Sequence, residues 1–179
     1  MPTDWTAYVD AAHRKIAIAA FHCEQLRTAL GNDRTADGNR PGIAVQAFFE
    51  GAITAVVSAT DQVAQTANSA LKLGAGRDKR SLFDVASPEI EARVTGFKEW
   101  REQPIGVDLR RLRAKMVHYS YEKSPSADRH WHVQATGTEY TGARDLLAYA
   151  SAATAYAHDL GVLADQLQKS LTAGNSAAS

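Results

Sequence analysis

The chain has 179 residues, with Lys plus Arg and Asp plus Glu both at 20, so its formal net charge is zero when histidines are neutral. That balance speaks against a globally basic nucleic-acid coat, though not against a local basic cleft. The length suits one domain, which buries roughly 70% of its unfolded surface, and the single cysteine, Cys23, has no internal disulfide partner, which points to a reducing, cytoplasmic setting.

The N-terminal MPTDWTAYVDAAHRK lacks a basic start followed by an apolar run, so no signal peptide is expected. No apolar run of about 18 residues is present, so no membrane span is expected. Thr3 or Asp4 is placed to cap a first helix and Gly31 to end it. Trp5, Val9, Ala12, Ile16, Ala19, Cys23, Leu26 and Leu30 recur at alternating steps of four and three, the seam of a helix buried along its length. Cys23 lies on that seam and reads as a core thiol.

GNDRTADGNRPG is a polar loop, and Pro41 stands near the start of a second helix over roughly 42–73. Phe49, Ile53, Val56, Thr60, Val63, Ala67 and Ala70 form its seam. Glu50, beside Phe48 and Phe49, reads as a buried or cleft-facing carboxylate, or more simply as one that faces water. GAGRDKRS is a basic loop without the spacing of a dinucleotide or phosphate loop. Ser81 and Asp84 have capping-box spacing and predict one short turn. Ser87-Pro88-Glu89 predicts the start of a third helix through about Arg101, and a fourth is expected over about 105–121 after Pro104.

KSPSADRHWHVQATGTEYTG predicts a small hairpin or extended excursion with a turn at Thr136-Gly137. On a strand, His130 and His132 share one face, a geometry that suits zinc, but no third ligand, Cys pair or H-E-x-x-H accompanies them. Aromatic packing or surface exposure is the simpler role, and no metal or cofactor is expected. No Glu-x-x-His is present, which argues against a di-iron bundle. A final helix is expected over about 143–171, with Leu146, Ala150, Ala153, Ala157, Leu160, Ala164, Leu167 and Leu171 as its seam. The fold class is all-α: an antiparallel bundle of about four to five helices, one domain over 1–172, with a small, polar, disordered tail over 173–179. The alanine-rich seams suit a bundle core or a dimer interface.

The chemistry-bearing stretch is DLRRLRAKMVHYSY at 108–121. Leu109, Leu112, Met116 and Tyr119 form an apolar stripe that packs on the core. At about 100° per residue, Arg111, Lys115 and His118 share a different face. Arg113 flanks the stripe, and Arg113 and His118 stand about 140° apart on an ideal helix. They converge only if the helix end distorts or a second chain contributes. The plain alternative is a solvated basic helix face, with Arg113 paired to a local carboxylate such as Asp108.

An arginine, four to six residues and a histidine near a helix end resemble the motif of the HEPN domain family (higher eukaryotes and prokaryotes nucleotide-binding). Arg113-AKMV-His118 has four intervening residues and Arg111-LRAKMV-His118 has six. The resemblance in architecture covers about residues 3–172; the motif itself covers only a few. It implies a metal-independent ribonuclease, usually a homodimer with the two motifs facing across a cleft, in a toxin or phage-defence setting. An antitoxin or nucleotidyltransferase partner is implied with it. On that reading His118 transfers a proton and Arg113 or Arg111 holds the phosphate. Arg110 and Lys115 add affinity for RNA, and Tyr119 and Tyr121 stack on unpaired bases. Many active members carry a polar residue directly after the motif arginine. Here Ala114 follows Arg113 and Leu112 follows Arg111. A non-catalytic HEPN-like interaction or nucleotide-binding module is therefore the alternative.

Overall fold

The computed structural model describes residues 5–32, 43–74, 81–110, 133–135, 138–140 and 143–177. Its elements are α1 (Thr6–Asn32), α2 (Ile43–Leu71), α3 (Leu82–Glu91), α4 (Phe97–Arg101), α5 (104–110), β1 (Val133–Ala135), β2 (Thr138–Tyr140) and α6 (Ala143–Ala177). The fold is an all-α helical bundle with one short hairpin before the last helix.

The seams explain the centre of it. Val9, Ala12, Ala19, Cys23 and Leu26 of α1 are buried, as are Phe49, Ile53, Val56, Thr60, Val63 and Ala67 of α2. All eight expected seam residues of α6, Leu146 to Leu171, are buried too. These stripes turn α1, α2 and α6 against one another. His13 meets Asp165 while Cys23 meets Ser151, so α1 and α6 run antiparallel. Small residues set the spacing: a Cβ at Gly51 would come within 2.7 Å of the His22 ring, and one at Gly161 within 3.3 Å of Ile16. Thr60 and Thr66, buried in α2, satisfy their hydroxyls by donating to Val57 and Gln62 carbonyls of their own helix.

α2 ends in a Schellman-type cap. The Leu73 N–H donates to the Asn68 carbonyl at 3.1 Å, and Lys72 takes the left-handed conformation at φ 55°. The sequence points to glycine for such a position, and Gly74, also at positive φ, lies two residues further on.

The third helix differs from expectation. Ser81, not Ser87, is the N-cap: its side chain accepts from the Asp84 N–H, and the helix starts at Leu82. Pro88 therefore stands inside α3, and the Ser87 hydroxyl donates to the Phe83 carbonyl at 2.6 Å instead of capping. The expected run to Arg101 is also broken, because Gly96 at φ 85° separates α3 from α4. Val94 and Phe97 are buried on either side of that break. Burial of these apolar side chains outweighs continuation of the helix ladder, and only glycine takes this backbone cheaply.

β1 and β2 pair antiparallel with Val133 opposite Tyr140 and Ala135 opposite Thr138, in line with the expected hairpin. α6 runs to Ala177, beyond the Leu171 at which the apolar stripe stops.

Candidate functional site

The basic stretch starts on α5, and its first turn shows how the chain delivers it. Pro104 opens α5, where a missing N–H costs nothing. Gly106 follows, and the reason for glycine is contact: a Cβ there would fall on the Tyr156 hydroxyl of α6. Leu109 is buried, as the apolar stripe requires. Asp108 accepts a hydrogen bond from the Tyr149 hydroxyl at 3.0 Å, tying α5 to α6.

Arg110 is the last described residue of the stretch, and it is half-buried. Its guanidinium carbon lies 5.2 Å from the centroid of the Phe83 ring, and its Nη2 donates to the Arg101 carbonyl at 3.5 Å. Around it stands an aromatic cluster. Trp100 stacks on Tyr156 with centroids 4.3 Å apart and planes 15° off parallel, and its Nε1 donates to the Tyr156 carbonyl at 3.0 Å. Phe83 and Phe97 complete the group, at 6.4 Å and 5.4 Å from Trp100. Arg101 holds Glu91 at 2.9 Å beside it. Tyr156 is 3% exposed, and its hydroxyl lies against the Arg110 side chain. Burial pushes its pKa well up, while the charge of Arg110 and its hydrogen bond to the hydroxyl pull the other way. The hydroxyl therefore stays protonated at neutral pH.

Arg111, Arg113, Lys115, His118, Tyr119 and Tyr121 lie outside the described residues, as do His130 and His132. Among the expected site residues, Arg110 alone is placed. It packs on the Phe83 ring of α3 and lies beside Tyr156 of α6. Sequence reading missed Asp108–Tyr149 and Trp100–Tyr156. Each pair joins residues more than 40 positions apart, at 41 and 56. The one visible signal was two tyrosines among the alanines of α6.

Among the described residues, His13, His22, Cys23 and Glu50 pack or bond within the bundle. His13 Nε2 lies 2.8 Å from Asp165 Oδ1, both about half exposed. His22 sits against Phe21 and Phe48 over Gly51. The buried Cys23 thiol lies 3.6 Å from the Ser151 hydroxyl. Glu50 accepts from Gln46 at 2.8 Å and is partly buried. Among the described residues, no group of three His, Cys, Asp or Glu side chains could hold a metal ion. No helix among them is long and apolar enough to cross a membrane. Comparison with protein-family models, curated proteins and solved structures gave no match.

Proposed function

We propose that this chain binds RNA and cleaves it without a metal, as an endoribonuclease of HEPN type. The observation that carries this reading is the basic stretch 108–121, with Arg111, Arg113, Lys115 and His118 in one short span of a chain whose net charge is zero. The helical bundle is compatible with it. So is the firm seating of α5, through Leu109 in the core and Asp108 on Tyr149, at the start of that stretch.

In this reading His118 takes the proton of a ribose 2′-hydroxyl as the oxygen attacks the adjacent phosphorus, or delivers one to the departing 5′-oxygen. Its ordinary pKa lies close to working pH, which suits either task. Arg113 or Arg111 offers paired N–H donors to the phosphate and stabilises charge that grows in the transition state. Lys115 and Arg110 add charge along the backbone, and Tyr119 and Tyr121 stack on bases. A homodimer brings two motifs together. A cytoplasmic toxin or phage-defence role, with an antitoxin or nucleotidyltransferase partner, belongs to the same proposal.

A second reading is favoured by Ala114, which leaves no polar group directly after Arg113, and by the seating of the half-buried Arg110 on the Phe83 ring. It makes the chain a non-catalytic helical interaction or nucleotide-binding module. The deciding experiment is cleavage of mixed cellular RNA by purified protein in chelator, beside His118→Ala. Cleavage lost in the variant supports the ribonuclease. No cleavage by a folded wild-type dimer moves the conclusion to the module.

A further inference from the structure

Helix α1 carries a second stripe on its outer side. Asp10, Arg14, Ala17, Phe21, Glu24 and Thr28 recur at alternating steps of four and three, and all six are exposed. At about 100° per residue this stripe lies on the side of the helix away from its buried seam of Val9, Ala12, Ala19, Cys23 and Leu26. The middle of the stripe is apolar: Ala17, Ile18, Ala20 and Phe21 are all exposed, Phe21 to 58%. Among the described residues the exposed large hydrophobics are Ile18, Phe21 and Val162, and two of the three stand one turn apart here. A lone exposed apolar side chain is ordinary, whereas a cluster on a regular helical stripe is a packing surface. The Phe21 ring is braced: the His22 ring meets it edge-on at 5.6 Å and itself sits over Gly51 of α2.

The stripe is self-complementary when read in opposite directions. Turned about a two-fold axis near Ala19, it sets Arg14 of one copy opposite Glu24 of the other, Phe21 opposite Ala17, and Asp10 opposite Thr28. We infer that α1 is the contact helix of a homodimer and pairs antiparallel along this stripe with α1 of a second copy. In such a contact every pair occurs twice. Two Arg14–Glu24 pairs therefore flank a centre in which each Phe21 fills the space left by the small Ala17 facing it. Alternating steps of four and three are the spacing at which two helices pack along a shared seam. Among the described residues Arg14 makes no ion pair. Glu24 is held by Arg27 of its own helix, with both side chains more than half exposed, and such a pair contributes little. Both charges are thus open to a partner. The zero net charge leaves no general repulsion to keep two copies apart. This contact goes beyond the ribonuclease reading, which calls for two motifs in one particle but assigns the interface to no helix; α1 carries none of the proposed chemistry.

The test is sedimentation equilibrium of the full chain, from dilute to concentrated protein. The wild type forms a species of twice the 19.3 kDa chain mass. Phe21→Ser removes the central aromatic anchor and weakens association about tenfold or more. Arg14→Glu sets like charges opposite each other in both pairs and weakens it about tenfold, as does Glu24→Arg. The double variant Arg14→Glu/Glu24→Arg re-forms both pairs with the signs exchanged and recovers association to within about threefold of wild type. All three positions are exposed, so the variants keep the helical bundle, which circular dichroism checks. A monomeric wild type overturns the α1 contact, as does a dimer indifferent to Phe21→Ser. Loss in both single charge variants without recovery in the double overturns the antiparallel pairing. A Phe21-dependent dimer that leaves RNA intact supports the contact and sinks the ribonuclease. RNA cleavage by a dimer indifferent to Phe21 and Arg14 does the reverse.

Discussion

The centre of the bundle and the end formed by α3, α4 and α5 are held by different means. At the centre, stripes of alanine, valine and leucine recur at helical spacing, and the small side chains bring α1, α2 and α6 close. The α3–α5 end shares that core through Phe83, Ile90, Phe97 and Leu109 and adds particular partnerships: Trp100 on Tyr156, Tyr149 on Asp108, Arg101 on Glu91 and Arg110 on Phe83. Burial that is spread along a seam yields one cooperative unit, whereas pairwise anchors can open one region at a time. The region carrying the proposed chemistry therefore begins where single-pair anchors add to the shared core.

The largest expected effect belongs to the centre. Phe49 is fully buried and packs on Tyr149 with ring centroids 6.0 Å apart. Phe49→Ala lowers stability by about 3–5 kcal/mol in chemical denaturation, through lost burial and the cavity left behind. It also speeds hydrogen exchange throughout α1, α2 and α6. An effect confined to one helix would break the comparison.

Gly106→Ala comes next, at about 1–3 kcal/mol, because its Cβ would fall on the Tyr156 hydroxyl. Tyr156→Phe removes the obstructing oxygen, so the same glycine change costs less in that background. A double-mutant cycle with no coupling would show that the two helices approach differently. Trp100→Phe removes the N–H donated to the Tyr156 carbonyl and costs roughly 0.5–1.5 kcal/mol beyond lost packing. Exchange accelerates in α4 and α5 while α1 is unchanged.

The Tyr156 pKa is raised in the folded state, so its contribution is fully present below the unfolded tyrosine value, about 10, and is lost as pH climbs above it. Denaturation of wild type and Tyr156→Phe side by side should show the variant gaining relative stability above that pH. A constant difference up to high pH would mean the hydroxyl ionises as freely folded as unfolded. The smallest effect is at the α2 cap. Lys72→Gly relieves a left-handed non-glycine residue and raises stability by roughly 0.5–1 kcal/mol.

The centre was legible in sequence because periodicity reports burial directly. Every seam residue from Leu146 to Leu171 is buried, and Cys23 sits in the core as its spacing requires. The α3–α5 end was not legible in the same way. Ser87-Pro88 has the form of a helix start, yet the Ser81 cap wins because its hydroxyl accepts the Asp84 N–H and donates to the Asp84 carboxylate, and the helix it opens buries Phe83. The break at Gly96 carries no periodic signal; it follows from burying Val94 and Phe97 together. Of the candidate site, the sequence named Arg110. It did not name the Phe83 ring beneath it or Tyr156 beside it, since contacts across long separations leave no local pattern.

The order of the helices has a consequence during synthesis. α1 and α2 emerge first, and α6, which covers both their seams, is completed about a hundred residues after α2 ends. At about 5–20 residues per second a ribosome takes on the order of 5–20 s to make that length. Through that interval the apolar stripes of α1 and α2 have each other but not their third wall. Chaperone engagement of the nascent chain should accordingly peak after Leu71 leaves the exit tunnel and fall as Leu146 to Leu171 appear.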